Sequence, residues 1–184
     1  GGNVNYIQIG AYNVDGLPAD SYIKATGGTN GAGIGSSNGE VGFLYVYLNG
    51  GTVEATGGTD AAGIGGGDGE AEDIYIEGKG TVIATGHDES AAIGAGHNEE
   101  GGNITIIGYG YNGPESQKDN PQADKSDYGL VIEASNTFNS SDNDAAVIGS
   151  ADSSGGNIRI SGAYITLSSK TECEGAGIGA GANS

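Results

Sequence analysis

Five positions at one recurring place in this chain are Asn30, Asp60, Glu89, Asp144 and Glu174, each two residues before an alanine. Four of the five are acids. Stacked at a strand spacing of about 4.8 Å, neighbouring carboxylates repel by roughly 1 to 3.5 kcal/mol per pair. A hard cation with oxygen ligands relieves that repulsion, which makes Asp60, Glu89, Asp144 and Glu174 candidate calcium (Ca2+) ligands, with carbonyls of open glycine corners completing the shell. An acidic edge splaying into water answers the same repulsion without a metal. More acids gather a few residues on, at Glu40, Asp68, Glu70, Glu72, Asp73, Glu99, Glu100 and Asp152. The stretch GGGDGEAED has the composition of calcium-binding nonapeptide repeats but not their spacing.

The second chemical signal is aromatic. Period-two alternation points Gln8, Tyr47, Tyr75, Thr105 and Arg159 outward in one column, with Tyr45 beside Tyr47. Tyr45, Tyr47 and Tyr75 are therefore candidates for stacking on sugar rings, although tyrosine is also an ordinary strand former. His87 and His97, each flanked by acids in GHDES and GHNEE, bracket one strand, whose length holds them apart from a shared ion. Cys173 has no histidine placed to activate it, and a single cysteine forms no internal disulfide. Arg159, Lys24, Lys79, Lys118, Lys125 and Lys170 are scattered, so no basic group converges with acids as a lyase requires. The expectation is a protein that is not an enzyme.

The elements that position these residues follow from an internal repeat. Ile34, Ile64, Ile93, Ile148 and Ile178 recur at intervals of 30, 29, 55 and 30, the long interval being one repeat with insertions. Each unit holds three short alternating segments. Segment A (YIKAT, TVEAT, TVIAT, VIEAS, YITLS) points Ile23, Val53, Val82, Ile132 and Ile165 inward, followed by Ala25, Ala55, Ala84, Ala134 and Leu167. The column Thr26, Thr56, Thr85, Ser135 and Ser168 faces out. Segment B carries the isoleucines and an inward alanine column (Ala32, Ala62, Ala91, Ala146, Ala176), with Gly33, Gly63, Ala92, Val147 and Gly177 facing out as a nearly bare surface. Segment C points Val46 and Leu48, Ile74 and Ile76, Ile104 and Ile106, and Ile158 and Ile160 inward, Ile7 and Ile9 beginning the series.

Units of 29 or 30 residues with three strands predict an all-β, single-domain parallel β-helix over 1–184, of about five turns. One turn cannot bury its own apolar face, so neighbouring turns must match, and the sequence repeats for that reason. Right-handed winding follows from the handedness of parallel crossovers. Insertions leave the coil between segments C and A at 11–21 and 111–129 and hold all three prolines, Pro18, Pro114 and Pro121.

Composition limits the partners. The chain has 24 acidic and 6 basic residues, a net charge of −18, so nucleic acid and anionic lipid are repelled. No run of about 18 apolar residues is present to insert in a membrane. The 39 glycines come with only 3 prolines and with regularly spaced valine and isoleucine, which argues for a folded array over a disordered polymer.

The strings AGIGGG, GGNITI and TVEATGG resemble the glycine-rich repeats of secreted or cell-wall-attached surface proteins of clostridia-like bacteria, and more distantly a carbohydrate-binding β-helix group. That resemblance implies a non-catalytic β-helix at an extracellular or cell-surface location. The chain opens within a C segment and stops after a B segment. Joining IGAGANS to GGN reproduces the internal spacing of IGSADSSGGN, so Gly1, Gly2, Asn3, Ile178, Gly179 and Asn183 are candidate self-assembly ends. The expectation is a structural or adhesive module that stacks head to tail into a filament, or continues into flanking repeats of a longer surface protein. The alternative is a calcium-assisted carbohydrate-binding module for plant or host polysaccharide.

Overall fold

The computed structural model describes residues 3–10, 21–97, 99–113, 124–137, 144–151, 154–169 and 174–182. Gly1, Gly2, Cys173, Asn183 and most of both insertions lie outside the described residues. Turn one contains β1 (Val4–Ile9), β2 (Tyr22–Thr26) and β3 (Ile34–Gly35); turn two, β4 (Val41–Thr56) and β5 (Ile64–Gly65); turn three, β6 (Ala71–His87) and β7 (Ile93–Gly94). Turn four contains β8 (Gly101–Gly108), β9 (Leu130–Thr137) and β10 (Ile148–Gly149), and turn five β11 (Ile158–Ser161), β12 (Ala163–Ser168) and β13 (Ile178–Gly179). The helical structure among the described residues is one 3-10 turn, Lys125–Asp127, closed by the Asp124 cap. All pairing between strands is parallel. One sheet runs β1-β4-β6-β8-β11, with β2, β9 and β12 extending it past the bend, and the second runs β13-β10-β7-β5-β3.

Segments C and A are separate strands in turns one, four and five but one continuous bent strand in β4 and β6. Glycine makes the bend. Gly50 and Gly51 sit at φ +112° and +79°, a region a side chain disfavours. Turn two spends Asn49, Gly50 and Gly51 on this bend where turn three spends Lys79 and Gly80, and the register shifts there. That missing residue accounts for the 29-residue interval from Ile64 to Ile93.

The A columns stand as expected, Ile23 through Val53, Val82 and Ile132 to Ile165. Segment C needs a correction. Ile7 pairs with Leu44, which pairs with Ile74, and Ile9 pairs with Val46, which pairs with Ile76. Leu44 and Val46, in place of Val46 and Leu48, therefore carry the two columns, and Leu48 meets Gly78. A two-residue slip leaves every side chain on its own face, so alternation alone does not reveal it.

Segment B departs from alternation. Ala92 and Val147, expected outside, are 0% and 2% exposed and join Ile93 and Ile148 in the central core. The amides of Ala92 and Ile93 both donate to the Val147 carbonyl, at 2.9 and 3.2 Å. A regular strand turns consecutive amides to opposite sides, so here the backbone arcs and two successive side chains point in. The expected bare outer face is thus interior at Gly63, Ala92 and Val147, while Gly33 is half-buried and Gly177 exposed. A Cβ on Gly63 would lie 2.7 Å from the Thr85 nitrogen, which explains the small residues of turns one and two.

The core fills the coil from end to end. Leu44, Ile64, Ile74, Ile76, Ile93, Ile106, Ile132 and Ile148 are fully buried, each contributing about 1.5–3 kcal/mol. The end turns are only half covered, with Ile23 38% and Ile178 44% exposed. No helix among the described residues is long and apolar enough to cross a membrane.

Candidate functional site

The acidic column sits at the corner between segments A and B, and backbone conformation accounts for Asn30 and Asp60 in it. Asn30, Asp60 and Glu89 have φ of +56°, +58° and +22°, and Asp88 beside Glu89 has +36°. Asn and Asp tolerate this left-handed region better than other residues with a side chain. Glu89 also accepts a contact from His97 Nε2 at 2.6 Å, while His87 Nδ1 lies 3.6 Å from Asp88. The histidines thus take separate acid partners. Asp144 is half-buried and Glu174 exposed. Among the described residues, no three His, Cys, Asp or Glu side chains come close enough together to hold a metal ion. Strand stacking spreads the acids along the axis one per turn.

The next corner forms an acidic groove lined by Asn3, Asn38, Glu40, Asp68, Glu70 and Glu99. Asparagine amides answer part of its charge: Asn30 donates to Asp68 at 3.2 Å and Asn3 to Glu40 at 3.3 Å. Partial burial pushes the Glu99 carboxyl above the usual glutamate range, and Glu70, Asp68, Glu100 and Glu40 push it further by like charge.

The outward face of segment C holds the aromatic side chains. Here Gln8 pairs with Tyr45, Tyr45 with Tyr75, Tyr75 with Thr105, and Thr105 with Arg159. Tyr45, not Tyr47, is thus in the column, and Tyr47 stands beside it, level with Glu77. The structure adds two rings that the column reading missed, Tyr6 and Phe43. Phe43 stacks on Tyr6 at 5.6 Å and on Tyr75 at 5.1 Å, with interplanar angles of 16° and 21°. Tyr45 lies 6.2 Å from Tyr75 and 6.4 Å from Tyr47. The available signal was Phe43 two residues before Tyr45, and so on the same face. Glu77 accepts the Tyr45 hydroxyl at 2.9 Å and the Tyr109 hydroxyl at 3.2 Å. Burial, then the Glu77 contact, pushes the Tyr45 phenol well above its ordinary value.

Near-parallel rings about 5 Å apart cover one another's faces. Tyr6, Phe43 and Tyr75 therefore form a pile along the coil axis and present mainly edges sideways. Tyr6, at the top of the pile, remains 56% exposed. Beyond the rings the same face carries an amide ladder, with Asn103 donating to Asp73 at 3.0 Å and accepting from Asn157 at 3.1 and 3.2 Å.

A family model for the β-helix repeat matches residues 20–38, 46–68 and 74–97, within the first three turns. The chain is a parallel β-helix. Neither a curated protein nor a solved structure matches it. The matched stretches of this β-helix hold all of β2, β3, β5 and β7, most of β6, and residues 46–56 of β4.

Proposed function

We propose that this β-helix is a non-enzymatic structural and adhesive module of an extracellular surface protein, a rigid rod whose turns stack axially with further turns of the same kind. The observation that carries the reading is the uninterrupted run of matched columns, in which each internal rung is sealed by the rungs on either side. Such a scaffold is extended by adding rungs. The acid surplus and the resemblance to wall-attached repeats support a surface location. A duplicate of residues 57–85 inserted after Thr85 tests the interchangeability of turns. Small-angle scattering should show a rod longer by about 4.8 Å with an equal or higher melting temperature. A chain unfolded by that insertion would remove the basis of the reading.

The aromatic face favours a second reading, a carbohydrate-binding module for plant or host polysaccharide, with calcium as an assisting ion. Ring edges and hydroxyls beside an amide ladder offer contacts to sugar hydroxyls, although the mutual stacking of Tyr6, Phe43 and Tyr75 leaves less ring face than isolated tyrosines provide. Saturable glycan binding that disappears in Tyr45→Ala and Tyr75→Ala would put this reading first.

A further inference from the structure

We propose that Tyr45, Tyr47, Tyr109 and Glu77 form a binding site for the ammonium group of an amine-bearing polysaccharide, one whose sugars carry free amino groups. The inference rests on the carbohydrate reading above and names the class of sugar.

Three observations point there. First, the Tyr45 and Tyr47 rings are parallel to within 2° with centroids 6.4 Å apart. At that separation neither ring covers the other as the rings of the Tyr6, Phe43 and Tyr75 pile do, and each keeps the negative face that attracts a cation. Second, one carboxylate stands among the tyrosines. Glu77 pairs with Tyr47 between turns two and three, and its Oε2 accepts the hydroxyls of Tyr45 at 2.9 Å and Tyr109 at 3.2 Å. Both phenols use the same oxygen, so neither takes Oε1, which retains acceptor capacity for a further donor. Third, the basic residues nearby do not occupy the position. Lys79 runs its Cε past Gly110 and forms no ion pair among the described residues, and Arg159 lies two turns further along the column from Tyr75.

The class of sugar follows from charge. Asp73 stands level with Phe43, Glu72 reaches Gly42, and the whole chain carries a net charge of −18. A polysaccharide of sugar acids is repelled by such a surface, and a neutral one gains nothing from it. A protonated amino group donates to a carboxylate and is attracted to a phenol face, two interactions that Glu77 and the paired tyrosines offer at one place. The tyrosine hydroxyls and the ladder of Asn103 and Asn157 remain for the neutral hydroxyls of the same sugars.

The test compares one sugar in two forms. Isothermal titration calorimetry of the full chain with a glucosamine oligomer, and with its N-acetylated counterpart of equal length, changes the amine and keeps the rest of the ligand. The amine form should bind about 2- to 30-fold tighter, the range for a cation on aromatic faces. Glu77→Gln and Tyr47→Leu should shrink that ratio, and Tyr47→Phe should keep it. Glu133→Gln makes the same charge change on the segment A face and should leave the ratio unaltered. None of these side chains belongs to the core, so each variant should still melt cooperatively. Equal binding of the two forms overturns the proposal and leaves the carbohydrate reading standing. Equal losses in Glu77→Gln and Glu133→Gln also overturn it, since attraction to the surplus of acids would then suffice. Binding of neither form overturns it as well, and glycan binding by Tyr45→Ala and Tyr75→Ala then decides the carbohydrate reading separately.

Discussion

Replacing Ile76 by alanine tests whether the columns hold this rod together. Ile76 is fully buried in the column Ile9, Val46, Ile76, Ile106 and Ile160, with a rung on either side. Truncating a buried isoleucine to alanine costs 2–5 kcal/mol, the larger values where the site cannot collapse, and stacked strands resist collapse. We expect about 3 kcal/mol for Ile76→Ala. Ile160 ends the same column, half-buried with one covering rung, so Ile160→Ala should cost about half as much. At roughly 2–4 °C per kcal/mol for a chain of this size, melting temperatures should fall by about 6–12 °C and 3–6 °C. Thermal melts followed by circular dichroism at low protein concentration, with urea titrations beside them, measure both. Equal losses at the two sites would refute the reasoning, because the cost would then not depend on how many rungs cover the side chain. A loss at Ile160 that grows with protein concentration would instead report a further turn seated on it.

Gly65→Ala should cost more than about 3 kcal/mol or prevent folding, since its Cβ would lie 1.9 Å from the Gly94 carbonyl oxygen at φ +137°, whereas Gly179→Ala should keep a folded monomer; comparing melts of the two checks this. Asp60→Asn should leave stability within about 0.5 kcal/mol and Asp60→Ala lower it by about 1 kcal/mol, because the left-handed corner and not the carboxylate sets the preference. Equal losses, or a melting temperature that calcium raises only while Asp60 is present, would return the cation to this column. Glu99 binds its proton more tightly in the folded chain than in the unfolded one, so its contribution to stability is present below the ordinary glutamate value and lost as pH rises through the raised one. Glu99→Gln should therefore raise the melting temperature at pH 7, by an amount worth about 0.5 kcal/mol, and leave it unchanged near pH 4. A destabilised Glu99→Gln at pH 7 would contradict the like-charge groove.

The sequence by itself determined the architecture. The isoleucines from Ile34 to Ile178, the A columns and the serine-threonine column stand where the repeat places them, because a parallel coil stacks each residue on its equivalent and so writes its contacts into the period. Tertiary structure decided what repetition leaves open. Leu44, Val46 and Leu48 are all buried, and only the strand pairing shows that Leu44 and Val46 stand in the two isoleucine columns while Leu48 meets Gly78. Ala92 and Val147 point inward because the backbone arcs in segment B, a local departure that hydrophobic alternation does not register. Asp60 reads as a ligand by type, and only the folded backbone shows that it also occupies a left-handed corner. Tyr6 and Phe43 became part of the aromatic face once strand pairing set Tyr6 beside Phe43, because a ring pile depends on register between turns, which no single turn contains.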